Sequence, residues 1–232
     1  MIRAVHVVVP ARDEAELLPR CLESVERARC LLRTCRPDLF IDVTVVLDGC
    51  LDDTPLVVEA ARVGSLEVDL GVVGATRDAG VRRAVEVAAE EGVTPDELWV
   101  ACTDADSAVP AHWLVSQVGL ADSVDLVVGT VEPVGCADPG LLAHWRERHE
   151  LVEGHTHVHG ANLGFRASTF LDVGGFAPLP LHEDVDLVRR LRAHTDRWVA
   201  TDSARVATSA RSHGRSPHGF AGYLSDLAEE VS

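Results

Sequence analysis

The chain has 232 residues, 47% of them hydrophobic, and carries a formal net charge of −16. All 21 of its basic residues are arginine, set against 37 acidic ones. This balance excludes a nucleic-acid binder and a polybasic membrane anchor, which need a field of the opposite sign, and suits a protein that holds metal cations.

The first predicted element is Ala4 to Val9, AVHVVV, a strand that enters the loop PARDE. Its apolar run is too short for a secretory signal and lacks a small-residue cleavage site, and no later run approaches a membrane span. The expectation is therefore a cytoplasmic protein without an integral membrane segment. Six cysteines without a CxxC pair read as free thiols in a reducing compartment. Further strands are predicted over Ile41 to Leu47, Leu66 to Val73 and Glu97 to Thr103, all β-branched runs ending in turn or acidic residues. Between them, EAELLPRCLESVERARCLLR, DTPLVVEAARV and TRDAGVRRAVEVAAEEG carry apolar residues at helical spacing, the third ending at Gly92 as a C′ glycine. This βαβαβαβ order implies a doubly wound parallel sheet, with ligands bound beyond the carboxyl ends of its strands. Asp13, Asp48 and Asp104 each follow such an end.

After residue 125 the rhythm changes. A strand over VDLVVGTVEPVG, a helix over DPGLLAHWRERHELVEG, a strand or loop over HTHVHGANLGF, a short helix and turn over STFLDVGGF and a helix over EDVDLVRRLRAH are expected. DRWVATDSARVATSA reads as a strand pair and SPHGFAGYLSDLAEEVS as a closing helix. The length favours one compact domain over 1–232, its second half walling a second subsite.

Within WVACTDADSAVPAHWL, Asp104 and Asp106 would project together if the backbone stayed extended. Two carboxylates so placed call for a hard, oxygen-ligated cation, Mg²⁺ or Mn²⁺, or for one of them to bond a ligand hydroxyl. The bland reading is a pair of turn acids capping the next helix. His155, His157 and His159 alternate and in a strand would share a face suited to zinc, yet no HExxH accompanies them, and satisfied strand residues are the commoner case. Core packing is the default for the four tryptophans, Trp113 included, although it follows the acidic pair.

Six blocks, VVVPARDEAELLPRCLESV, VVLDGCLDDT, GATRDAGVRRA, VACTDADSAVPAHWL, GANLGFRASTFLDVGGF and LHEDVDLVRRL, succeed one another from Val7 to Arg192. Their order and spacing resemble family 2 glycosyltransferases of the GT-A fold. The resemblance implies an α/β fold with a Rossmann-like, mostly parallel central sheet flanked by helices. It divides the single domain into a nucleotide-sugar-binding half, 1–124, and a smaller acceptor-side half, 125–232. It places Pro10, Ala11, Arg12 and Glu14 around the base and ribose, Asp48 on the base, Arg77 toward the diphosphate or ribose, and Asp104 near the ribose and sugar. Asp106 becomes the direct metal ligand, with His213 completing the metal shell and Arg211 and Arg215 beside it facing the diphosphate.

In inverting members the Asp of the ED pair is the general base, here Asp184 with Glu183 beside it. A carboxylate at a helix N-terminus stays deprotonated, as a base must. Gly174, Gly175 and Phe176 would form the acceptor-side turn, and Asn162 an acceptor or sugar subsite. Two departures bear on base recognition: Leu47 stands where many members have Asp, and Cys50 where they have Ser. The implied reaction moves a sugar from a nucleoside diphosphate donor to an unknown acceptor hydroxyl. A catalytically silent nucleotide-sugar binder is one alternative. A sugar nucleotidyltransferase is another, but PARDEAE is not Gly-rich and the chain has no lysine.

Overall fold

The computed structural model describes residues 1–136, 138–179 and 181–211. The strands are β1 (Ala4–Ala11), β2 (Phe40–Asp48), β3 (Gly64–Val68), β4 (Leu98–Cys102), β5 (Ser107–Ala108), β6 (Leu126–Val134), β7 (Leu163–Arg166) and β8 (Trp198–Ser209). The helices are α1 (Leu18–Cys35), α2 (Thr54–Ala61), α3 (Val73–Glu90), α4 (Trp113–Leu120), α5 (Pro139–Arg148), α6 (Ala167–Asp172) and α7 (Glu183–His194). The eight strands among the described residues lie in one sheet, in the order β3-β2-β1-β4-β7-β6-β8-β5.

The β1 run is buried at every position, as a strand covered on both faces must be. Its alternate residues serve different layers. Val5, Val7 and Val9 pack with Leu18, Leu22 and Val25 of α1 and Trp113 of α4, whereas Ala4 and Val8 pack with Val81 and Ala84 of α3 and Leu187 and Leu191 of α7. The strands β3, β2, β1 and β4 are parallel. Beyond them β7 runs antiparallel to both β4 and β6, so one continuous sheet joins residues from both halves of the chain. The second strand lies on one side of β1 and the fourth on the other, which makes the carboxyl ends of β1 and β4 a topological switch point, where such sheets open a crevice.

Two expectations about elements need correction. The strand predicted over 66–73 is β3, shifted to Gly64–Val68. It stops because the Leu70 and Gly71 N–H groups turn to bond Asp48 and Gly71 takes φ +69°. The predicted strand pair after residue 195 is a single strand, β8, parallel to β6. Its register jumps between Gly129↔Thr201 and Val131↔Val206, and the surplus residues form a bulge spanned by an Asp202–Arg205 ion pair. The predicted closing helix lies outside the described residues. Gly92, at φ +69°, does follow the end of α3.

Candidate active site

Asp48 is the last residue of β2 and only 4% exposed. Its Oδ1 accepts the Leu70 N–H (2.7 Å) and the Gly71 N–H (3.1 Å), and its Oδ2 accepts the Thr76 hydroxyl (2.8 Å). Burial alone would raise its pKa, but these donors and the nearby Arg12 guanidinium hold the carboxyl below the usual range. The expected base-binding Asp48 therefore also clamps the loop after β3 to α3. Arg12 is exposed and faces the same loop: a Cβ on Gly71 would lie 3.5 Å from its Nη1. Pro10 and Ala11, expected in the loop, are instead the buried final residues of β1, in register with Val46 and Leu47. The missing family Asp at Leu47 is thus a core position, 4% exposed.

The acidic pair does not point one way. The backbone turns after Asp104, whose carbonyl accepts the Ser107 N–H at 3.1 Å, and each carboxylate has its own guanidinium. Asp104 Oδ1 pairs with Arg77 Nη2. Asp106 Oδ2 lies 3.2 Å from Arg211 Nη2, and its other oxygen accepts from the Ser107 hydroxyl at 3.3 Å. Burial and the neighbouring Asp104 push the Asp106 carboxyl up to about 6, against the pull of Arg211. Arg211 also forks onto Glu14, at 2.8 and 2.5 Å. Glu14, expected beside the ribose, is 6% exposed, and its N–H is bonded to the Thr54 hydroxyl at 2.7 Å.

Arg77 is turned inward. It is 4% exposed, with Nη2 on Asp104 and Nη1 on Glu183 Oε1. The two carboxylates raise its pKa further, although burial opposes them. Glu183 opens α7 and is itself buried, which raises its carboxyl against the pull of Arg77. Its neighbour Asp184 is half-buried, with Oδ2 accepting the Gly160 N–H at 2.7 Å and Oδ1 the Val185 N–H at 2.8 Å. Thr76 and Arg77 are consecutive in α3, so one turn of helix joins the carboxylates after β2, after β4 and at the start of α7. Sequence reasoning passed over Thr76 and Gly160. The signals were their places, one residue before a candidate arginine and directly after the histidine run.

The acceptor-side expectations fare unevenly. Gly174 and Gly175 do turn with φ +85° and +79°, and Gly175 lies against Asp78, which accepts the Phe176 N–H at 3.0 Å. Arg190 donates to the Gly175 carbonyl at 2.7 Å, so the turn is braced by α3 and α7. Phe176 is 5% exposed and packs on Phe165 and Phe170. Asn162 does not reach the crevice. It is 2% exposed, donating to the Thr130 and Ala204 carbonyls (2.8 and 2.9 Å) and accepting from Trp113 Nε1 (2.8 Å). This tie also identifies Trp113 as core. The ring centroids of His155, His157 and His159 follow one another at 6.3 Å, and His149 lies 4.6 Å from His157. Among the described residues no three His, Cys, Asp or Glu side chains are grouped to hold a metal ion. His213 and Arg215 lie outside the described residues. No helix among the described residues is long and apolar enough to cross a membrane.

A family model described as Glycosyl transferase family 2 matches residues 6–172. No curated protein matches the chain by sequence. Among solved structures, the S. aureus TarS fragment 1-349 is similar at 14% identity and TM-score 0.66, covering 100% of this chain and 65% of that one. The mannosyltransferase PcManGT from Pyrobaculum calidifontis, in complex with GDP-Man and Mn²⁺, is 20% identical with TM-score 0.60, covering 91% and 58%. Glucosyl-3-phosphoglycerate synthase from Mycobacterium tuberculosis, in complex with Mn²⁺, UDP and phosphoglyceric acid, is 17% identical with TM-score 0.56, covering 97% and 75%. At these identities the likeness is one of fold. The chain spans less than two thirds of the TarS and mannosyltransferase chains.

Proposed function

The chain belongs to glycosyl transferase family 2, and from that premise we propose that it transfers a sugar from a nucleoside diphosphate donor to an acceptor hydroxyl, with inversion and with a divalent cation. One observation carries this reading: Thr76 and Arg77 tie Asp48, Asp104 and the Glu183–Asp184 pair around the carboxyl ends of β1, β2 and β4. The solved GT-A structures support the donor class, since one TarS complex holds UDP-GlcNAc and the mannosyltransferase complex holds GDP-Man and Mn²⁺.

The residues present fit a cation at Asp106. The Glu14 and Asp106 carboxylates share one guanidinium, that of Arg211. Asp106 would be the protein ligand to Mg²⁺ or Mn²⁺, with His213 a second. The ion, when bound, supplies charge stabilisation for the departing diphosphate. Asp48 and Arg12 would border the base and Asp104 the ribose and sugar, while Arg211, released from Asp106, would face diphosphate oxygens. Gly174 and Gly175 would shape the acceptor side.

Asp184 acts as the base. The Gly160 and Val185 N–H groups fix both its oxygens. As the acceptor oxygen bonds to the anomeric carbon, its proton passes to Asp184, and the bond from that carbon to the diphosphate oxygen breaks. The test is release of nucleoside diphosphate from UDP-glucose, UDP-GlcNAc and GDP-mannose with Mn²⁺. Turnover is expected for one donor, with Asp106→Ala losing about 100-fold or more and Asp184→Asn losing about 100-fold in kcat. Tight donor binding without turnover against any hydroxyl acceptor would overturn the reading.

A further inference from the structure

Arg77, expected to bind the donor, is turned inward by the fold. Both its terminal nitrogens are engaged by carboxylates, and its side chain is 4% exposed. The backbone closes over it as well, since a Cβ on Gly160 would lie 2.5 Å from the Arg77 Cζ. A diphosphate has no route to this guanidinium. Its partners, however, belong to opposite sides of the crevice. Asp104 follows β4, and Glu183 is the first residue of α7, directly before Asp184. Gly74, one turn earlier in α3, lets the Glu183 side chain close in, because a Cβ there would come within 2.9 Å of Glu183 Cβ and Cγ. The peptide that packs on Arg77 is also the one whose N–H holds Asp184 Oδ2 at 2.7 Å.

We propose that Arg77 is a positioning residue: its buried planar fork joins the part-exposed Asp104 to Glu183 in one ion triad and so sets the position from which Asp184 meets the acceptor hydroxyl. The inference rests on Asp184 being the base. Without the guanidinium, Asp104 and Glu183 would face each other as like charges and push the start of α7 away from the crevice. A lysine supplies the charge as a single point and cannot span both carboxylates with the same geometry. The triad therefore aligns the donor side with the acceptor side, and a small displacement of a reacting group is enough to cost about 100-fold in rate.

The test uses whichever of UDP-glucose, UDP-GlcNAc and GDP-mannose gives the largest thermal shift with Mn²⁺. Turnover with that donor and calorimetric donor binding are measured for the full chain, Arg77→Lys, the double variant Arg77→Met/Glu183→Gln, and Asp184→Asn. In Arg77→Lys, kcat is expected to fall about 10- to 100-fold while donor KM and Kd stay within about threefold. The double variant removes opposite charges together, so it is expected to stay folded, bind donor normally and turn over as slowly as Arg77→Lys. A donor Kd weakened about tenfold in Arg77→Lys with kcat retained would overturn the proposal by making Arg77 a donor ligand. Full turnover in Arg77→Lys beside an inactive Asp184→Asn overturns the positioning role alone. Full turnover in Asp184→Asn removes the base, and this inference with it, whatever the Arg77 variants do.

Discussion

His6 shows how strongly one buried group shapes behaviour. It stands inside β1, 1% exposed, with Nε2 2.8 Å from the Thr44 hydroxyl oxygen. Burial holds its pKa down at about 4; Asp42 pulls it up, while Arg83 and Arg29 add to the depression. An unfolded imidazole takes a proton near 6.5, so the folded state resists a proton that the unfolded state accepts. Stability is then complete above about pH 6.5 and is lost as pH falls toward about 4, by about 3 kcal/mol in all. Denaturant unfolding at pH 7.5, 6 and 5 is expected to show wild type losing about 2 kcal/mol more than His6→Gln by pH 5; equal losses would refute the assignment. The strand that holds His6 is legible in AVHVVV, but its titration is not, because burial on both faces depends on helices far away in the chain. Asn162 repeats the lesson, since the family resemblance implied an acceptor or sugar subsite and its surroundings made it a tie between β6, β8 and α4.

The element that organises the site is α3. Its apolar spacing and terminal Gly92 are readable from periodicity, whereas its closeness to the sheet is not. Gly80 permits it: a Cβ there would lie 2.5 Å from Val8 Cγ1 and 2.7 Å from Val46 Cγ2. Gly80→Ala is expected to lower stability by about 1–3 kcal/mol through overpacking. The helix would lift from β1 and β2 and carry Thr76 and Arg77 with it, so turnover should drop with stability. A thermal midpoint equal to wild type would show that the interface yields without loss. The shift of β3 and the single bulged β8 have a common cause. Each depends on where distant hydrogen-bond partners sit, Asp48 for the first and β6 for the second, and local alternation of residue types carries no record of those partners.

The whole chain carries a formal charge of −16, with arginine as its sole fixed cation. Self-repulsion of that size weakens the compact state and is screened by salt. Raising NaCl from about 10 to 150 mM is expected to raise the thermal midpoint by about 2–4 °C; a fall would place net stabilising ion pairs above the repulsion. Composition, the βα rhythm of the first 125 residues and the six ordered motif blocks were enough to point to an α/β fold, a family and a set of carboxylates after strand ends, because each of these is written locally. Which carboxylate meets which guanidinium was not. Arg77 reaches partners 27 and 106 residues away, and Arg211 reaches Glu14 across 197. Those meetings follow from the strand order and from glycines that let backbones approach, and they turned one expected donor contact into an internal brace. Charge pairing at such separations is settled by packing, since a buried ion is stable only where the fold closes its partners around it.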